Sequence, residues 1–139
     1  MKAAAALLLA ALLLATALAV PAGAQAAGPD AAQQAWRTGL AYRNGTDRNK
    51  DAAQAVVWLR RAAQLGEPGA MFILAQMLAA GEGAPADPRE AQRWLEAAAE
   101  ADYPEALQQL ALEERDPQLA ALLMKRAAHA LGHRALKND

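Results

Sequence analysis

Cysteine and serine are both absent from the 139 residues, and beyond the N-terminal apolar run only Thr38 and Thr46 carry an aliphatic hydroxyl. Ser–His–Asp and Cys–His nucleophilic catalysis are thereby excluded from this chain. Disulfides are excluded too, so stability has to come from packing even in an oxidising compartment. Charge of one sign is also lacking. Fourteen Lys and Arg face fifteen Asp and Glu, a net charge of −1. That balance makes no electrostatic case for nucleic acid or for an anionic membrane surface. No phosphate-binding loop occurs; Gly81-Glu82-Gly83 is a fragment of nothing larger.

One long hydrophobic run is present, at the N-terminus. Lys2 precedes it, Ala3 to Val20 is apolar apart from Thr16, and Pro21 ends it. Ala22-Gly23-Ala24 and Ala24-Gln25-Ala26 both have the small-x-small form of a signal peptidase site. Residues 1–26 therefore read as a secretory signal peptide cut after Ala24 or Ala26, which makes the protein periplasmic or secreted. The rival reading is an uncleaved anchor through residues 3–20, a length close to that of a bilayer span. Because no Cys follows the run, a lipoprotein anchor is excluded. Cleavage leaves residues 27–139 as one small domain, one unit more negative through loss of Lys2. A domain of this size has a core only if its elements pack closely.

The rest of the chain repeats itself. A shift of 36 lays Gly45 on Gly81, Asp51 on Asp87, Ala55 on Ala91, Trp58-Leu59 on Trp94-Leu95, Ala62-Ala63 on Ala98-Ala99 and Pro68 on Pro104. A third copy follows at a spacing of 29: Asp87-Pro88 recurs as Asp116-Pro117, and seven residues are missing from the loop. Repeats of this length signal stacked helical hairpins. Within each copy the apolar residues recur at helical spacing, as in Ala70, Leu74 and Leu78 or Ala91, Leu95, Ala98 and Ala99. Asp51 and Asp87 are placed to cap the second helix of each hairpin. The expected fold is an all-α, right-handed α/α solenoid with copies at about 33–68, 69–104 and 105–134. A stub at 135–139 reads as the start of a fourth unit that stops, the form of a capping end.

The pattern A-x-x-x-L-G-x-x-Y-x-x-G, a loop, then D-x-x-x-A-x-x-W-x-x-x-A-A-x-x-G resembles the Sel-one-like repeat, a relative of the tetratricopeptide repeat. Copy one carries it at Thr38-Gly39, Tyr42, Gly45, Asp51, Ala55, Trp58, Ala62-Ala63 and Gly66. Copy two carries it at Ala70, Leu74-Ala75, Gly81, Asp87, Ala91, Trp94 and Ala98-Ala99, with Asp102 where glycine is expected. Copy three has Ala106, Leu110-Ala111, Asp116, Ala120 and Ala127-Ala128, with Leu123 in place of the aromatic. The resemblance implies a non-catalytic adaptor or scaffold that holds another protein, including in bacterial envelope and signalling assemblies. Some secreted members pin each hairpin with a disulfide, which this chain cannot form.

Stacking the copies would align Trp36, Phe72 and Gln108 in one row, with Leu40, Gln76 and Leu112 beside it and Arg43 at its end. First helices line the concave face of such solenoids, so this row is the candidate partner-binding surface. Packing between repeats is the competing reading, because large apolar residues at helical spacing are usually core. His129 and His133 stand i, i+4 like half of a zinc site, but no third ligand is evident, so no metal and no cofactor is expected. Asn44-Gly45-Thr46 is formally a glycosylation sequon and is explained more simply as a turn. Arg60-Arg61 reads as a solvated helix face, and Glu113, Glu114 and Asp116 as a solvated helix end rather than acid–base machinery. A homodimer formed through the apolar end of the stack is the alternative function.

Overall fold

The computed structural model describes residues 28–137. The signal-peptide reading of residues 1–26 falls outside them. Six helices follow in chain order: α1 (Pro29–Asn44), α2 (Ala52–Gln64), α3 (Pro68–Ala80), α4 (Pro88–Glu100), α5 (Pro104–Glu113) and α6 (Pro117–Lys137). No strand occurs among the described residues. The helices pair as three hairpins, α1/α2, α3/α4 and α5/α6, and α2/α3 and α4/α5 join one hairpin to the next. The fold is an all-α helical repeat solenoid.

Local chemistry sets the helix ends. The Asp51 carboxylate accepts from the Gln54 N–H at 3.0 Å, and Asp87 accepts from the Glu90 N–H at 2.9 Å. In the shortened third copy Asp116 accepts from the Gln118 N–H at 2.8 Å. Each thereby satisfies one of the free donors at a helix start. Pro68, Pro88 and Pro104 open α3, α4 and α5, where a missing N–H costs nothing. The first helices of copies two and three thus begin two residues before Ala70 and Ala106, with proline as the opening residue. α1 and α3 end on Gly45 and Gly81, whose φ values of 72° and 69° are left-handed.

Alanine dominates the core. Ala55, Ala62, Ala70, Ala98 and Ala106 are fully buried, around Leu59, Leu74, Met77, Leu78 and Leu107. One cluster runs from α1 to α4 and a second from α3 to α6, so α3 and α4 belong to both. No polar or charged residue is buried among those described. With nothing beyond Cβ at the paired alanines, helix backbones approach closely enough for short helices to fill the space between them.

One feature differs from the expectation, and a second adds to it. α6 runs unbroken through Gly132 to Lys137, so 135–137 is the last turn of a long helix and not the start of a fourth hairpin. No loop or left-handed residue interrupts it, because Gly132 keeps a helical backbone. The α3–α4 loop, moreover, docks on the preceding repeat. Gly83 lies so close to the Ala52 carbonyl at the start of α2 that a Cβ there would be 2.1 Å from its oxygen.

Candidate protein-interaction surface

Each residue of the Trp36–Phe72–Gln108 row has a definite place. Trp36 is half-buried, and its indole edge lies against Gly69 in the first turn of α3; a Cβ at Gly69 would be 3.1 Å from it. Phe72 is half-buried, with its ring centroid 5.5 Å from that of Tyr103, just before α5. Both aromatics therefore bridge one first helix to the start of the next. Gln108, Leu40 and Arg43 are half-buried, whereas Gln76 and Leu112 are exposed, Leu112 at 78%. Most of the aromatic surface that the row offers is engaged in repeat-to-repeat packing. The adjoining file of Leu40, Gln76 and Leu112 keeps more of itself open to solvent. Gln76 and Ala79 also edge a small depression of about 210 Å³ between α3, α4 and α5.

Polar contacts also join the helices away from this row. Arg60 on α2 forms an ion pair with Glu90 on α4, and the Trp94 indole N–H donates to the same carboxylate at 3.1 Å. Arg60 is therefore more than a solvated helix face: it ties the second helices of copies one and two together. The hydrogen bond from Arg60 holds the Glu90 carboxyl below the ordinary range, against an opposing desolvation effect and with help from Trp94. Arg61 remains exposed, over the Trp58 ring at 5.7 Å. A separation of 30 residues between Arg60 and Glu90 falls outside the helical and repeat periods, so the sequence gives no sign of the pair.

A second clasp joins α5 to α6. Arg134 donates to both oxygens of Glu105, at 2.8 and 3.0 Å, and its guanidinium lies 5.1 Å from the Tyr103 ring centre. These bonds lower the Glu105 carboxyl and raise the Arg134 guanidinium. Burial, followed by the nearby Glu105 charge, raises the Tyr103 phenol. Asp102, at the position where the repeat expects glycine, has a left-handed φ of 54°. Arg126 crosses from α6 to donate to its carboxylate at 2.7 Å and to the Ala99 carbonyl at 3.2 Å.

The remaining motifs are structural in their contacts. Glu114 accepts from the N–H groups of Arg115 and Asp116, and Glu113 accepts from the Gln109 amide. Together with the capping Asp116, these carboxylates serve the α5–α6 junction. His129 and His133 bring their Nε2 atoms within 3.0 Å, and no group of three metal-ligating side chains occurs among the described residues. Gly45 donates its N–H to the Ala41 carbonyl at 2.8 Å, the turn role expected at the sequon.

The hairpin geometry and the recurring cap–alanine pattern match a known repeat. The Sel1 repeat pattern fits residues 35–67, 68–103 and 106–130, more than half of the chain. The chain belongs to the Sel1 repeat family. A Sel1 repeat protein from Oxalobacter formigenes superposes with a TM-score of 0.68 at 30% identity, covering 73% of this chain and 46% of that one. A protective antigen present in uropathogenic Escherichia coli strains, displaying an SLR fold, superposes with a TM-score of 0.62 at 30% identity. There the match covers 70% of this chain and 22% of the antigen. An exopolysaccharide production negative regulator of Rhizobium leguminosarum bv. viciae is 41% identical over 58 residues, 41% of this chain and 22% of its own length. An uncharacterised protein of Neisseria meningitidis serogroup B is 41% identical over 71 residues, 51% of this chain and 14% of its own. The chain spans less than half the length of each of these relatives. Sel1 repeats generally mediate protein–protein interaction, and the family is typically non-catalytic.

Proposed function

We propose that this Sel1 repeat protein is a non-catalytic adaptor or scaffold of the bacterial cell envelope. It is exported by residues 1–26 and holds a partner protein's helix or extended segment along the face formed by α1, α3 and α5. The observation that carries this reading is the exposed file beside the aromatic row, in which Gln76 is open and Leu112 is 78% exposed. Leu40, Arg43 and Gln108 contribute partly open side chains to the same face, and Trp36 and Phe72 back it. An unpaired large apolar side chain next to amide groups suits a partner that buries one anchor and hydrogen-bonds around it. The reading includes no cofactor, no nucleic acid and no membrane contact after cleavage.

The test is a crosslinked pull-down from an envelope fraction with wild type and a Gln76→Lys/Leu112→Asp variant. Both positions are exposed, so the variant should melt with wild type. A protein captured by wild type and lost by the variant supports the reading. An identical set captured by both removes this face as the site.

A second reading, self-association, is favoured by one comparison between copies. Leu59 and Ala63 on α2, and Leu95 and Ala99 on α4, are buried where the next repeat covers them. Their counterparts on α6 are Met124, 40% exposed, and the exposed Ala128, which no hairpin among the described residues covers. Ala121, Met124, Ala128, Leu131 and Ala135 form an apolar seam at heptad spacing that an antiparallel copy of α6 could meet about Ala128. A sedimentation coefficient that rises with concentration in wild type, but not in Met124→Glu, would establish this version. A monomer at every concentration would remove it.

A further inference from the structure

α6 has no Asp or Glu in its 21 residues. It carries Lys125, Arg126, Arg134, Lys137 and both histidines of the chain, although the chain as a whole is slightly acidic. All six of these side chains line one open groove of about 800 Å³ between α6 and the α4–α5 turn. Another surface depression, beside Trp94, holds only about 270 Å³. Leu122, Ala130 and Ala101 give the groove apolar lining, and Asp102 is its one carboxylate.

Two of the cations are neutralised within the fold. Arg126 is paired with Asp102 and Arg134 with Glu105. Lys125 and Lys137 enter no ion pair among the described residues. The lysines and histidines also share a spacing. Lys125, His129, His133 and Lys137 follow one another at i+4, so neighbours along this ridge are about 6 Å apart. Alternate side chains of an extended peptide are separated by about 6.6 Å. The His129 and His133 Nε2 atoms, 3.0 Å apart, satisfy each other with one shared hydrogen. A carboxylate entering there would displace that contact and, once the accepting ring shifts its hydrogen from Nδ1 to Nε2, would accept a hydrogen bond from each ring.

We propose that the α6 groove binds an acidic segment of a partner protein, extended along the Lys125–His129–His133–Lys137 ridge with a carboxylate at every second residue. This site is separate from the α1/α3/α5 face but rests on the same protein-interaction reading. Charge complementarity selects the occupant, and the apolar lining accommodates the small residues between the carboxylates.

The test is fluorescence anisotropy of the full chain with labelled Glu-Ala-Glu-Ala-Glu-Ala-Glu, its all-Gln counterpart and a thymidine heptanucleotide. The expected result is saturable binding of the Glu peptide that weakens with salt, and no binding of the Gln peptide. Lys125→Glu/Lys137→Glu should weaken binding by about tenfold or more, because two attractive charges become repulsive. These side chains are exposed and make no contact that folding needs, and an unchanged melting curve verifies it. His129→Gln/His133→Gln, a second variant of neutral charge, should weaken binding less but measurably. Equal binding of the two peptides, undiminished binding by the Lys variant, or tighter binding of the oligonucleotide overturns the proposal. Any of those results leaves capture through Gln76 and Leu112 as it stands, so the two readings fail separately.

Discussion

Gly83→Ala tests how one repeat is fastened to the next. The added Cβ would meet the Ala52 carbonyl oxygen at 2.1 Å, the carbonyl carbon at 2.4 Å and the Ala53 nitrogen at 3.0 Å. All three are main-chain atoms in the first turn of α2, so no side chain can swing aside, and the loop must lift by more than an ångström. The residue also has a φ of 76°, which costs a side-chain-bearing residue about 1 kcal/mol. Displacing the loop adds about 1–3 kcal/mol of overpacking. The sum, about 2–4 kcal/mol, corresponds to a fall in melting temperature on the order of 10–20 °C for a domain of this size. Gly45→Ala is the control. Its φ of 72° is similar, but its nearest new contact is the Lys50 Cβ at 3.3 Å, so only the backbone cost of about 1 kcal/mol applies. Thermal melts followed by circular dichroism at 222 nm give the comparison directly. Equal losses in the two variants would refute the argument that the loop of copy two docks on copy one.

Ala98→Leu, at a fully buried position between α4 and the third hairpin, should cost about 1–3 kcal/mol in a urea melt; a change within error would show a looser core. Removing the cap with Asp87→Ala should cost about 1 kcal/mol by the same assay, through the lost bond to the Glu90 N–H. Glu90 and Glu105 both have carboxyls held below the ordinary value of 4.5 in the folded chain. Their contribution to stability is complete above that pH and is lost as the pH falls through the depressed folded values. The melting temperature should therefore drop as the pH falls below 4.5, and drop less in Glu90→Gln/Glu105→Gln. Parallel curves for the two proteins would contradict the assignment.

What was legible in the sequence followed from periodicity. Asp51 and Asp87 announced helix starts because a short carboxylate before an apolar-periodic stretch has one good use there. Ala62-Ala63 and Ala98-Ala99 marked equivalent positions of the second helices because they coincide under the 36-residue shift. Sequence resemblance to the Sel-one-like repeat agrees with the fold and with the family match. Contacts between unlike positions were not legible. Trp36 on Gly69 and Phe72 on Tyr103 show that one row can be both aligned across repeats and engaged between them, a distinction that spacing cannot make. Arg60–Glu90 and Arg134–Glu105 join residues 30 and 29 apart on different helices, and no motif marks the partners. The fourth-unit reading of 135–139 treated Ala135 as a repeat start. Without a proline, an Asp cap or a left-handed glycine before it, α6 had no reason to stop.

The measurement closest to the central claim is the crosslinked pull-down with wild type and the Gln76→Lys/Leu112→Asp variant, read beside their melting curves. The account predicts equal stability and a captured protein that is present with wild type and absent with the variant. The same proteins captured by both, at equal stability, would contradict the assignment of the α1/α3/α5 face as the surface that holds a partner.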